Sequence, residues 1–363
     1  MSKILSGELI GVRESVQDQL LLLNAYQTPF LQMVGFSNPA TAVEHVWFED
    51  SMFAEESKVV GAKLAADTEI VVADAEPFRT HQVVKVGEEL ILVTGVDVVA
   101  KKLVVARGYA GTTAADIADG AKIEVQFVEG QEGRDARAAR YKARVRKSNL
   151  MQIFDDTVEI SGTAAAVSQY GIDDLYEYEK QKKQLELALQ LEKALINGIK
   201  YENGTVRQMD GVRHLIKTNV TDLAGADLTI EALNDSFQAI YTKGGFATGG
   251  AYEVIVPAKQ KRVIGKFDKS LVDIAQADRT RGTVVSRIVT DFGEFDVSIN
   301  DNLASDEVLI VDKNRIAVKP LTGREFSHEY LGKKGDYLQG MLVGEYTLEF
   351  LQEAAHARIK GAK

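Results

Sequence analysis

A single long helical pattern between residues 172 and 197 constrains the fold more than any other feature. Leu175, Tyr178, Lys182, Leu185, Leu189, Glu192 and Ile196 recur at three-four spacing, and Ala188 and Leu195 widen the stripe. Asp173 and Asp174 fall in the first turn, where the helix dipole favours acids. Gly198 follows the end, where glycine suits a C-cap. About 25 residues at ~1.5 Å each make a rod of roughly 37 Å, longer than a usual globular helix.

Residues 64–128 hold five short β-branched runs: 70–72, 83–86, 89–93, 102–105 and 122–125. Each is bounded by Gly, Asp or Lys, and residues 108–113 read as a loop. Short strands with turn signals between them predict a small all-β module. Residues 41–50 read as a further strand, after a compact apolar anchor of Phe30, Leu31, Met33, Val34 and Phe36. Before that anchor, residues 9–23 are amphipathic, and Thr28-Pro29 stops any helix.

Beyond the helix the pattern is mixed. Residues 229–241 predict a helix with Thr229 as N-cap. Residues 252–256 predict a strand, with Pro257 opening the next helix. Residues 244–250 form a glycine-rich loop. Residues 284–289, 295–299, 308–311, 316–318, 341–351 and 357–359 look extended. The class is α+β.

Chemistry is sparse. The 363 residues include no cysteine, which removes disulfides, thiolate metal sites and cysteine nucleophiles. There is no phosphate loop, no zinc-protease helix and no serine elbow. His45, His81, His214, His328 and His356 lack ligand spacing and read as structural. The glycines at 244, 245, 249 and 250 follow a helix rather than a strand, the wrong context for a dinucleotide site. Paired acids such as Asp155-Asp156 and Asp173-Asp174 point apart and read as solvated surface. No enzyme, cofactor or metal is expected. No apolar run reaches the ~18 residues of a membrane span, and no signal-peptide layout opens the chain, so no membrane partner is expected.

The formal net charge is −10, which disfavours tight binding to a phosphate backbone. One stretch runs the other way. Residues 131–147 carry seven basic residues against two acidic ones, with Arg140, Lys142, Arg144 and Arg146 at period two. In a strand these four share a face. That face serves either as a solvated edge or as a contact with an acidic surface of a neighbouring subunit; with Tyr141 its only aromatic, nucleic acid is the weaker reading.

Three stretches resemble the major capsid proteins of tailed bacteriophages with the Hong Kong 97-type fold. They are TPFLQMVGFSNPATAVEHVWF at 28–48, residues 150–197 with the long helix, and GEYTLEFLQEAAHARI at 344–359. The resemblance implies an N-terminal arm at 1–40 and an extended loop at 41–63 and 129–150. It implies an inserted β domain at 64–128, similar through LVVARGYAGTTAADIADGAKIEV to modules of phage structural proteins. A peripheral domain at 151–210 and 320–363 would carry the spine helix 172–197, and an axial domain would fill 211–319, with residues 268–282 as its loop near the capsomer axis.

The implied function is a structural subunit that self-assembles into hexamers and pentamers of an icosahedral head enclosing double-stranded DNA. It would be assembled in the host cytoplasm and located in the virion. An encapsulin-like cage and a decoration protein built on the β module are the alternatives. Assembly contacts are expected at Arg140, Lys142, Arg144, Arg146, Lys58, Lys63, Asp173, Asp174, Arg279 and Arg281. Lys58 and Lys63 lie in the loop region, without an identified partner for a Lys–Asn crosslink. Only 27 residues precede the Thr28-Pro29-Phe30 anchor, so a separate scaffolding protein is expected, with a portal, possibly a decoration protein, and DNA held only by weak non-specific contact.

Overall fold

The computed structural model describes residues 28–363 apart from 131, 135, 138, 168–173, 249, 268–271 and 275–284. The amphipathic stretch 9–23, Asp173, Arg279, Arg281 and most of the 268–282 loop lie outside the described residues.

In chain order the elements are α1 (Pro29–Val34), β1 (Glu44–Glu49), β2 (Glu56–Lys58), β3 (Glu69–Val71), β4 (Gln82–Val86), β5 (Glu89–Asp97), β6 (Lys102–Ala106) and β7 (Lys122–Val128). Then come β8 (Val145–Leu150), β9 (Gln152–Ser161), α2 (Gly162–Ala166), α3 (Leu175–Asn197), β10 (Tyr201–Asn203), β11 (Val206–Gln208), α4 (Val212–Leu215) and β12 (Val220–Asp222). The last are α5 (Ile230–Thr242), β13 (Tyr252–Val256), α6 (Ala258–Ile264), β14 (Val272–Ile274), β15 (Val285–Thr290) and β16 (Gly293–Ile299), followed by β17 (Val308–Asp312), β18 (Ile316–Pro320), β19 (Ser327–Gly335), β20 (Tyr337–Phe350) and β21 (Ala357–Lys360). They form two units, Phe48–Val145 and Met1–Trp47 with Arg146–Lys363.

The smaller unit is a closed barrel. Its six strands run in the order β2-β7-β4-β5-β6-β3. The ends of that order join: Val59 bridges Val72, Val60 N donates to Val71 O at 2.8 Å, and Ala73 N donates to Lys58 O at 2.8 Å. Closure leaves no free edge to recruit stray strands. Alternation turns Ile70, Val84, Ile91, Val93, Leu103, Val105 and Ile123 inward, where each is buried. β2 belongs to this sheet, so the barrel takes in residues before position 64.

The larger unit has two cores. In the first, Leu187, Leu191 and Leu195 of α3 pack with Phe154, Val158 and Ile160 of β9 and Leu342, Leu348 and Phe350 of β20. β20 is the spine of a four-stranded sheet, paired with β9 along 337–346, with β19, and with β18 at its far end. In the second, Leu233, Phe237 and Ile240 of α5 cover a seven-stranded mixed sheet of order β12-β21-β17-β13-β16-β15-β14. Phe237 stacks on Phe295 at 4.1 Å between ring centres.

Four local readings change. The buried face of α3 is Leu187-Leu191-Leu195 with Glu192 and Ile196, not the stripe through Leu185 and Leu189. Leucines at 185, 187, 189, 191 and 195 offer two overlapping stripes, and only the sheets choose between them. Gly198 ends α3 at φ −55, so its lack of a side chain answers proximity rather than a left-handed turn; a Cβ would lie 2.5 Å from Ala194 O and 2.6 Å from Met209 O. β19 carries little strand signal in SHEYLGKKG; its pairing with β20 makes it a strand, with a register shift at Gly332, where φ is +91. Thr229 caps α5 through its hydroxyl, while Pro257 is the cap residue of α6 rather than its first helical residue.

Candidate assembly surface

The four period-two cations do not share a strand face. β8 begins at Val145, so Arg140, Lys142 and Arg144 precede the ladder and only Arg146 sits in it. Each instead meets groups of its own chain. Arg140 lies 4.0 Å above the Phe53 ring, and its Nη1 donates to the carbonyls of Glu76 and Pro77 at 3.1 and 3.0 Å. Lys142 Nζ donates to Met52 O at 3.3 Å. Arg144 pairs with Asp50 at 3.5 Å, and Arg146 with Glu44 at 2.9 Å. The Ser148 and Arg146 hydrogen bonds hold the Glu44 carboxyl below its usual range. All four cations are exposed, and pairs of this kind contribute only ~0–1 kcal/mol each. They remain able to exchange partners.

Asp174 is not within the first turn of α3. It is the N-cap, accepting from Tyr176 N at 2.8 Å and Glu177 N at 3.2 Å. Lys58 and Lys63 are not on a free loop. Lys58 is in β2, opposite Lys122 of β7, and Lys63 bridges Ile117 in the barrel wall. Among the described residues of the expected set, Lys58 and Lys63 thus belong to the barrel wall and Asp174 to a helix cap.

An acidic face does emerge, on the outer side of the four-stranded sheet. Along β9, Phe154, Val158 and Ile160 turn to the core, so Ile153, Asp155, Thr157 and Glu159 turn outward. Asp155 stands opposite Val343, Thr157 opposite Met341, and Glu329 of β19 opposite Met341 on its other side. Among the described residues Asp155, Glu159 and Glu329 make no ion pair, and half-exposed Met341 and Val343 lie between them. Acids around a partly apolar centre form a surface complementary to exposed cations.

Buried charges fasten the interior. Glu192 on α3 accepts from Phe30 N, Leu31 N and Asn300 Nδ2. Burial raises its pKa against the lowering effect of those hydrogen bonds. Its position on an apolar stripe was the sequence signal for it. Glu307 is buried too, yet hydrogen bonds from Arg213 and Arg358 outweigh the desolvation and keep its pKa low. In the barrel, Glu89 and Arg107 form a buried pair at 2.7 Å, and Gly108 N and Ala115 N also donate to Glu89. His356 is wholly buried, its pKa pushed down to about 4 chiefly by desolvation. Among the described residues no three His, Asp or Glu are grouped to hold a metal, and no helix is long and apolar enough to cross a membrane.

A family model described as the SU10 major capsid protein matches residues 3–363. No curated protein matches the chain. Among solved structures, the capsid of cyanophage A-1(L) is similar with a TM-score of 0.58 at 9% identity, covering 98% of each chain. The capsid of a native GTA particle is similar with a TM-score of 0.55 at 10% identity, over 99% of this chain and 98% of that one. The capsid of Myoviridae phage XM1 is similar with a TM-score of 0.50 at 13% identity, over 99% of both. Likeness over full length at such low identity is a likeness of fold, and the fold is the Hong Kong 97 type.

Proposed function

The chain belongs to the SU10 major capsid protein family, and from that premise we propose how its copies meet. It is a structural subunit of an icosahedral phage head, and its place is the virion. The family match over residues 3–363 carries this reading, because it spans the long helix, both sheets and the barrel together. A decoration protein built on the barrel alone would leave the larger unit without a role.

The subunits associate as hexamers and pentamers in the host cytoplasm, on a separate scaffolding protein and around a portal, and the head encloses double-stranded DNA. The protein has no catalytic role. The extended segment with Arg144 and Arg146 of one copy meets the acidic sheet face of Asp155, Glu159 and Glu329 of the next. Two observations support this contact: the cations are exposed and held only by weak surface pairs, and the acids are unpaired among the described residues. Weak contacts suit a shell, since repetition supplies strength while reversibility corrects errors. A chain of net charge −10 also leaves packaged DNA free to move.

The test is a charge swap. The double variant Arg144→Glu, Arg146→Glu keeps the melting temperature of the subunit but loses shells in negative-stain images and sedimentation velocity after co-expression with the neighbouring genes. Adding Asp155→Lys and Glu159→Lys restores them. Shells formed at full yield by the first double variant would refute this contact, and a chain monomeric under every condition would refute the capsomers.

A further inference from the structure

A cleft of about 460 Å³ opens on the barrel unit, within the ~300–1,000 Å³ typical of ligand sites. Phe53, Phe78, Val96 and Val98 contribute its apolar surface. Among the described lining residues four cations, Arg79, Arg137, Arg140 and Lys142, stand against the acid Glu76. This is a local reversal of sign on a chain of net charge −10. Burial first, then the charges of Arg79 and Arg137, lower the pKa of Arg140, so like charges crowd here. Tyr141, also lining the cleft, is 88% exposed, and Met52 beside Phe53 in sequence is 91% exposed. Large apolar tips left in water around a cleft mark an interaction site.

We propose that this cleft is a docking site for an acidic peptide segment of a separate protein, one aromatic or branched aliphatic side chain entering between Phe53 and Val98 while flanking carboxylates meet Arg137 and Lys142. Charge complementarity selects an anion. The shape selects a peptide over nucleic acid, because single strands are held along a groove of successive cations and stacking rings, whereas these cations ring one cleft. The shape also argues against a second copy, whose outward acids in β9 sit on a pleated sheet face that cannot enter a concavity. Arg140, over Phe53 and donating to two carbonyls, forms one side of the cleft.

The experiment measures fluorescence anisotropy of a labelled hexapeptide, one phenylalanine flanked by aspartates and glutamates, titrated with the full-length chain. Saturable binding is expected, weakened about tenfold by Arg137→Glu and again by Val98→Asp, with circular dichroism confirming that both variants stay folded. Equal binding of a probe with serine for phenylalanine would reduce the site to non-specific charge and overturn the proposal. So would tighter binding of oligothymidylate, which assigns the cleft to nucleic acid. Displacement of the probe by a synthetic peptide of residues 1–27 would assign it to a second copy and overturn the proposal as well.

Discussion

Glu192 and Phe30, 162 positions apart in sequence, are joined by a hydrogen bond of 2.9 Å from the Phe30 backbone N–H to the buried carboxylate, and Leu31 adds a second at 2.8 Å. The first N–H groups of a helix have no partner inside it. α3 supplies that partner to α1, while the Phe30 ring enters the core that α3 covers. One acid thereby ties the start of α1 to the long helix.

Replacing this acid should be costly. Glu192→Ala removes the acceptor of three donors, two of them buried, and a loss of at least ~3 kcal/mol is expected, since hydrogen bonds to charged groups are worth ~1.5–3 kcal/mol each before relaxation. Glu192→Gln keeps one acceptor oxygen but presents an N–H to a donor, so an intermediate loss is expected. Urea unfolding of the unassembled subunit measures both; an alanine variant as stable as the parent would show that α1 docks without this bond.

The barrel offers a test of a buried ion pair. Arg107→Met strands the Glu89 carboxylate, whose side chain is only 2% exposed, and a loss of ~3–5 kcal/mol is expected. The double variant Arg107→Met, Glu89→Gln should recover part of it, because removing both charges removes the desolvation cost. Thermal melting of the three proteins decides this, and equal losses in single and double variants would contradict it.

Acid should weaken the larger unit through His356. Its pKa falls from an ordinary 6.5 to about 4 on folding. The unfolded chain therefore binds the proton more readily, and stability is lost as pH drops from about 6.5 towards 4, levelling off below that. The full effect is on the order of 3 kcal/mol. His356→Asn keeps an acceptor for the Asp312 N–H, which donates to His356 Nδ1 at 3.1 Å, and should flatten this part of the profile. Parallel pH profiles for parent and variant would exclude His356 as the source.

Gly198→Ala should destabilise the turn after α3, because the new methyl meets Ala194 O and Met209 O well inside contact distance. Backbone must move, at a cost of ~1–3 kcal/mol. Gly204→Ala makes a useful contrast: its Cβ meets nothing within 4 Å, but its φ is +59, so only the milder ~1 kcal/mol strain of a left-handed alanine is expected. Calorimetry of the two variants separates crowding from strain.

Periodicity and turn chemistry were enough to read most strands, the ends of α5 and the presence of the long helix, because those signals are local. They did not decide which leucines of α3 face inward, since 187-191-195 and 185-189-192-196 satisfy the same spacing until β9 and β20 take one side. Nor did they reveal β19, which owes its state to pairing with β20 rather than to propensity.

The candidate surface divides the same way. The sequence by itself determined the alternation that puts Asp155 and Glu159 on one face of a strand, the excess of cations in 131–147, and the absence of cysteine chemistry. Only the tertiary structure decided that β2 and β3 close the barrel, that Arg140 turns onto Phe53, and that Glu192 caps a helix 162 positions away. The reason is range. A pattern of side chains fixes the direction of its neighbours within a few residues, whereas ring closure, a cation on an aromatic face and a buried cap depend on groups that meet only after the chain has folded.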